Sequence, residues 1–93
     1  MEVSYSLSYS PKALEDIAFF KRLGDVAIIR KINKLLDELE QHPTTGTGQV
    51  EALRFDLAGF WSRRINKEHR IVYQVNEDAK IVYIYRLKGH YGI

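Results

Sequence analysis

Trp61, Arg63, Arg64, His69 and Arg70 crowd one short stretch, residues 59–73, and are the side chains of this sequence best suited to hold an anion. An arginine guanidinium stays charged and offers a planar fork of N–H donors that matches phosphate or carboxylate oxygens. The stretch has β-branched and aromatic residues at both ends and a polar centre at Asn66-Lys67-Glu68, the pattern of two strands joined by a turn. Alternation along the first strand puts Trp61, Arg63 and Ile65 on one face and Phe60, Ser62 and Arg64 on the other. With an even-numbered turn, Arg70 pairs opposite Ile65 and shares the face of Arg63 and Trp61. The expectation is a rigid anion-binding platform of arginines beside an aromatic ring. A solvated sheet face, charged only for solubility, is the plainer alternative.

The elements that must carry this platform lie on either side. Residues 2–9 alternate Val3, Tyr5, Leu7 and Tyr9 with Glu2, Ser4, Ser6 and Ser8, the signature of a half-buried strand. Ser10 then Pro11 read as the cap and first residue of a helix, with an apolar stripe of Leu14, Ile17 and Ala18, Phe20 near its edge, and Gly24 as its stop. Asp25 caps a second helix reaching about Gln41, in which Ile28, Ile29, Ile32, Leu35, Leu36 and Leu39 recur at helical spacing for core packing. Residues 42–49 form a loop by composition; Gly46 and Gly48 lack the Lys-Ser/Thr ending of a phosphate-binding P-loop. A strand is expected around residues 52–57, then the central pair, a turn at Asn76-Glu77-Asp78, a last strand over 80–86 and a short polar tail. A strand, two helices and then about four hairpin-linked strands make an α+β fold, a single domain over residues 1–93 with both helices on one sheet face. The arginines should stand on the other.

Composition narrows the partners. The chain has 93 residues, 45% hydrophobic and 28% charged, enough for one small core and too apolar for disorder. It has no cysteine, which excludes disulfides and thiolate metal sites, and His42, His69 and His90 are too scattered for a common zinc motif, so neither metal nor cofactor is expected. No run approaches a membrane span and the N-terminus lacks a signal peptide's features, so cytoplasmic residence is expected. The net charge of +2 is uneven: residues 1–50 carry six Lys/Arg against seven Asp/Glu, residues 51–93 eight against five. The basic surplus travels with the strands, which suits a polyanion such as nucleic acid or an acidic protein segment.

Three blocks together have a more specific likeness. Gly46-x-Gly48-x-x-Glu51-x-Leu53, then Leu57-x-Gly59-Phe60-Trp61-Ser62-Arg63-Arg64-Ile65, then Glu68-His69-Arg70-Ile71-Val72-Tyr73 resemble the YoeB/Txe family of bacterial toxins within the RelE/ParE superfamily. The resemblance covers nearly the whole chain and implies a RelE-like fold, ribosome-dependent cleavage of mRNA, neutralisation by a Phd/YefM-type antitoxin, and a homodimer. It places a catalytic glutamate at Glu51, a catalytic arginine at Arg70 and a terminal catalytic pair at His90 and Tyr91. Arg54 and Arg64 match basic positions that contact RNA phosphates, Glu68 matches an acidic position near the substrate base, and Arg63 joins them as an RNA-facing charge. Trp61 or Tyr91 would stack on a base. The sequence departs from the family where Val50 and Ala52 replace prolines beside the glutamate, and where Leu87-Lys88-Gly89 separates the last strand from His90.

The residue types fit that chemistry. Cutting RNA with its own 2′-OH as nucleophile requires a base for the hydroxyl proton, a donor for the phosphorane and an acid for the leaving 5′-oxygen. Glu51, Arg70 and His90 are expected in those roles, in that order. Two rivals remain at this point: a ParE-like inhibitor that binds DNA gyrase without catalysis, and an RNA- or ribosome-binding module without activity.

Overall fold

The computed structural model describes residues 4–89. In chain order it holds β1 (Ser6–Tyr9), α1 (Pro11–Leu23), α2 (Val26–Gln41), β2 (Glu51–Ala52), a 3-10 turn at Phe55–Leu57, β3 (Trp61–Arg64), β4 (Arg70–Asn76) and β5 (Ile81–Arg86). The two helices begin and end where local chemistry dictates. The Ser10 hydroxyl accepts the Ala13 amide at 2.9 Å, Pro11 opens α1, and Gly24 closes it in the left-handed region at φ 73°. Asp25 then caps α2 through the Ile28 amide at 3.2 Å.

The strands form one 5-stranded sheet in the order β1-β5-β4-β3-β2. The last four run antiparallel, and β1 docks parallel to β5 with Leu7 opposite Val82. Ala13, Phe20, Ile32, Leu35 and Leu39 from the helices meet Ile71, Tyr73, Val82 and Ile84 on one sheet face. Burying each such large side chain stabilises the fold by about 1.5–3 kcal/mol. The α+β architecture with helices on one face is thus as expected.

Five local expectations change. In α1 the buried positions are Ala13, Asp16 and Phe20, whereas Leu14 is exposed. The carboxylate turns inward because its Oδ2 accepts the Leu87 and Lys88 amides at 2.9 and 3.0 Å, a bond no apolar residue can offer. The strand expected at 52–57 is only Glu51–Ala52: Phe55 takes a left-handed φ of 57°, which breaks the extended run into the 3-10 turn. Among the described residues the first strand covers Ser6–Tyr9, so residues 4 and 5 of the expected 2–9 lie outside it, and the last strand begins at Ile81, because Lys80 also has a left-handed φ of 56°.

The fifth change rearranges the platform. Arg64, not Ile65, lies opposite Arg70, and Arg63 lies opposite Ile71. The turn is odd-numbered: residues 65–69 bridge the strands, pinned by the Asn66 carboxamide, which accepts the Glu68 and His69 amides at 2.8 and 2.9 Å. A one-residue change of register moves every side chain to the other face. Arg70 therefore joins Arg64 and Ser62 on the open face, and Arg63 and Trp61 face the helices.

Candidate active site and nucleic-acid interface

Side chains from three adjacent strands converge on the open face. Glu51 of β2 pairs with Ser62 of β3, and Arg64 of β3 pairs with Arg70 of β4. Arg70 leans back diagonally across this grid: its Nη1 donates to the Ser62 hydroxyl at 3.0 Å and lies 3.7 Å from Glu51 Oε1. The Glu51 side chain is 46% exposed and that of Arg70 13%. A carboxylate open to solvent thus sits beside a guanidinium held rigidly against the sheet. Among the described residues, no three His, Asp or Glu side chains gather as a metal site would need.

Arg64 borders this pair. Its Nε donates to the Asn66 carbonyl at 3.0 Å and its Nη1 to Gln49 Oε1 at 3.2 Å, so the guanidinium is oriented from both the turn and the glycine loop. Glu68 is exposed in the same turn, and Arg54 is exposed on the connection between β2 and β3. His69 contacts the Phe20 ring edge-on at 5.0 Å, and its Nδ1 accepts the Gly89 amide at 2.9 Å.

Arg63 does something different. It is fully buried on the helical face, where Nη1 donates to Glu38 Oε1 at 3.0 Å and Nη2 to the His42 and Thr45 carbonyls at 2.8 and 2.7 Å. A phosphate cannot reach it there, so the expectation of an RNA-facing Arg63 is corrected to a structural anchor. Glu38 is held below the usual carboxylate range, first by the Thr47 amide and hydroxyl, and then, against the opposing effect of burial, by the charges of Arg63 and Lys34. Gly46 passes by the guanidinium and Gly48 by the aliphatic stem of Arg63: a Cβ on Gly46 would lie 2.6 Å from Glu38 Oε1, and one on Gly48 2.7 Å from Arg63 Cγ. The loop that delivers Glu51 is thereby fixed to α2.

A family profile described as the YoeB-like toxin of bacterial type II toxin–antitoxin systems matches residues 9–91. The chain belongs to this family. Among its relatives, Toxin YoeB of Escherichia coli K12 is 38% identical over 76 residues, 82% of this chain and 89% of that one. A YoeB/ParE toxin from Agrobacterium tumefaciens superposes at a TM-score of 0.85 with 35% identity, covering 92% of this chain and 99% of its own. Two Staphylococcus aureus structures are similarly close. One is the heterotetrameric YoeB–YefM toxin–antitoxin complex, with TM-score 0.80, 38% identity and coverages of 94% and 98%; the other is a YoeB dimer, with 0.81, 37% and coverages of 95% and 99%.

In this YoeB-type toxin, Glu51, Arg70 and Arg64 share the open face, with Glu68 exposed in the adjoining turn, while Trp61 does not join them. Trp61 is half-buried against the core on the helical side, so it does not stand on the open face beside Arg64 and Arg70 where base stacking was expected of it. His90 and Tyr91 lie outside the described residues. Sequence reasoning missed Ser62 as the orienter of Arg70, although its place opposite Glu51 follows once the register is known. It also missed the open-face aromatics. Alternation around buried Ile84 brings Tyr83 and Tyr85 to that face, where Tyr85 meets Phe60 with ring centroids 5.6 Å apart.

Proposed function

We propose that this toxin is an endoribonuclease that cuts mRNA on the ribosome and so stops translation. The observation that carries the reading is the Glu51–Arg70 pair at 3.7 Å on an open, basic sheet face. In the proposed reaction the Glu51 carboxylate takes the proton from a 2′-OH, and O2′ attacks the adjacent phosphorus. Arg70, steadied by Ser62, donates to the non-bridging oxygens as the phosphorane forms. The P–O5′ bond breaks and His90 gives its proton to O5′, leaving a 2′,3′-cyclic phosphate and a free 5′-hydroxyl. The chain's own groups supply both proton transfers, so the scheme asks for no metal. Tyr91 acts with His90 as the terminal catalytic pair that the family resemblance implies.

Arg64 and Arg54 hold flanking phosphates, and Glu68 faces the base. Exposed Tyr85, with the half-buried Phe60 and Tyr83 beside it on the open face, offers ring surface on which neighbouring nucleotides stack, taking the part first given to Trp61. The likeness to the Staphylococcus aureus complex and dimer supports a YefM-type antitoxin as partner and a homodimer as the free form. Cytoplasmic action follows from the ribosomal target, and among the described residues no helix is long and apolar enough to cross a membrane.

Primer extension on translated mRNA after induction tests the reading. Discrete cuts with cyclic-phosphate ends, absent when ribosomes are withheld, are expected. Intact mRNA with trapped gyrase–DNA complexes would instead establish the ParE-like alternative, a toxin that binds and catalyses nothing.

A further inference from the structure

Beyond the Glu51–Arg70 pair the open face continues along β4 and β5. The register shift between Val72 and Tyr73 leaves Tyr85 as an extra residue, because Ile84 pairs with Tyr73 and Arg86 with Val72. A bulge of this kind bends its strand and re-aims the side chains it carries. The Tyr85 ring meets that of Phe60, just before β3, across the intervening β4, where Val72 is fully buried. On the far side of this aromatic bridge Gln74 stands opposite Tyr83. Gln74 is exposed and Tyr83 half-buried, and with Asn76, Glu77 and Ile81 they line a groove of about 460 Å³. Two of the polar groups there are already engaged. Asn76 Oδ1 accepts the Ala79 amide at 2.9 Å, and Glu77 Oε1 accepts the Tyr5 hydroxyl at 2.6 Å and lies 3.6 Å from Lys80 Nζ. Among the described residues the Gln74 carboxamide has no hydrogen-bond partner.

We propose that Gln74 and Tyr83 form a base-reading subsite that selects adenine at one nucleotide flanking the cut. The inference rests on the endoribonuclease reading for its substrate and adds a specificity residue to it. Gln74 lies four residues from Arg70 on β4, about 13 Å at strand spacing, so it meets a neighbour of the nucleotide being cut. Bases of a single strand stack on an aromatic ring while their edges are read by hydrogen bonds. A carboxamide sets one donor and one acceptor side by side. Adenine answers that pair on its Watson–Crick edge, with N6–H and N1, and on its Hoogsteen edge, with N6–H and N7. Of these two edges, the other three bases answer it only on the Watson–Crick one. A purine also covers more of the Tyr83 ring than a pyrimidine does. Among the described residues no Lys or Arg lines the groove and one carboxylate does, so it suits a neutral base and not a phosphate.

The test measures the affinity of the full-length toxin for ribosomes programmed with four mRNAs that differ in one base, each position flanking the cut being varied in turn. A 2′-deoxy sugar at the cut prevents cleavage, so binding is read whether or not the protein is a nuclease. Single-turnover cleavage of the all-ribose mRNAs is followed alongside. At one flanking position the parent should favour adenine by about fivefold or more, the low end for a bidentate contact. Gln74→Leu should bring the four bases to within about twofold of one another. Gln74→Glu carries acceptors only, and guanine alone sets two donors side by side, N1–H and N2–H, so the preference should pass to guanine. Tyr83→Leu should weaken binding of all four alike, by about tenfold, because stacking tolerates every base. Equal affinity of the parent for the four bases at every flanking position overturns the subsite, as does an adenine preference that survives Gln74→Leu. If that same variant instead loses affinity for the antitoxin, the face belongs to the partner protein. A parent that selects adenine in binding yet cuts none of the all-ribose mRNAs upholds the subsite and sinks the nuclease reading alone.

Discussion

Arg63 Nη1 lies 3.0 Å from Glu38 Oε1, beneath a loop whose two glycines pack against the Arg63 side chain, Gly46 at the guanidinium and Gly48 at its stem. Its neighbour Arg64 faces the opposite side of the sheet, so two adjacent arginines serve the fold and the substrate separately. Arg63 anchors the loop that ends at Glu51; Arg64 stands on the open sheet face beside the Glu51–Arg70 pair.

The anchor should make stability depend on acid. Glu38 has a lowered pKa in the fold, set first by Thr47 and then by the positive charges of Arg63 and Lys34. Its contribution is therefore complete above the unfolded value of about 4.3 and is lost as pH falls through the lower folded value. Urea unfolding at a series of acidic pH values should show this loss, and Glu38→Gln should flatten it. Glu38→Ala leaves the Arg63 charge buried with one fewer partner and should cost about 3 kcal/mol at neutral pH, the low end for a broken buried pair because Glu38 is partly solvated.

Gly48 should tolerate no side chain. At φ +93° with a Cβ 3.0 Å from the Arg64 carbonyl carbon's oxygen, an alanine meets both backbone strain and a rigid neighbour. Gly48→Ala should destabilise by about 1–3 kcal/mol, lowering Tm by about 4–8 °C for each kcal/mol, with cleavage falling as the loop before Glu51 shifts. Gly59, at φ +94° but with open space where the Cβ would go, should show strain alone and a smaller loss. Calorimetry on the two variants separates these terms.

Phosphate contacts release counterions, so ribosome binding should weaken as salt rises. Arg64→Ala and Arg54→Ala should each lower affinity and reduce the log–log salt slope by about 0.7, the value for one contact to a single strand. Arg63→Met should lower stability yet leave the slope unchanged. Binding titrations at several salt concentrations distinguish a surface charge from a buried one.

Much of this was legible in the sequence because it was local. Ser10-Pro11, Gly24 and Asp25 mark helix ends through bonds made within a few residues, and both helices start and stop at those marks. Face assignment was not legible, since it turns on the length of one loop: Asn66 folds residues 65–69 into an odd-numbered connection, and Arg63 and Arg70 part company. Asp16 escaped for a related reason. Its partners, the Leu87 and Lys88 amides, lie at the far end of the chain, and a helical stripe gives no sign that a carboxylate will be drawn inward. The exposed Phe55 and the shortened β2 reflect a left-handed backbone at a residue whose type gives no warning of it.

In the proposed reaction everything begins with Glu51 taking the 2′-OH proton. Glu51→Gln keeps the shape and hydrogen-bonding reach of the side chain but removes its basicity, and the charge that binds RNA resides elsewhere. In single-turnover cleavage on ribosome-bound mRNA, the variant should lose about 10²–10⁴ in rate while binding ribosomes as the parent does. Cleavage by Glu51→Gln at the parent rate would contradict the assignment and, with it, the proposed use of the Glu51–Arg70 pair.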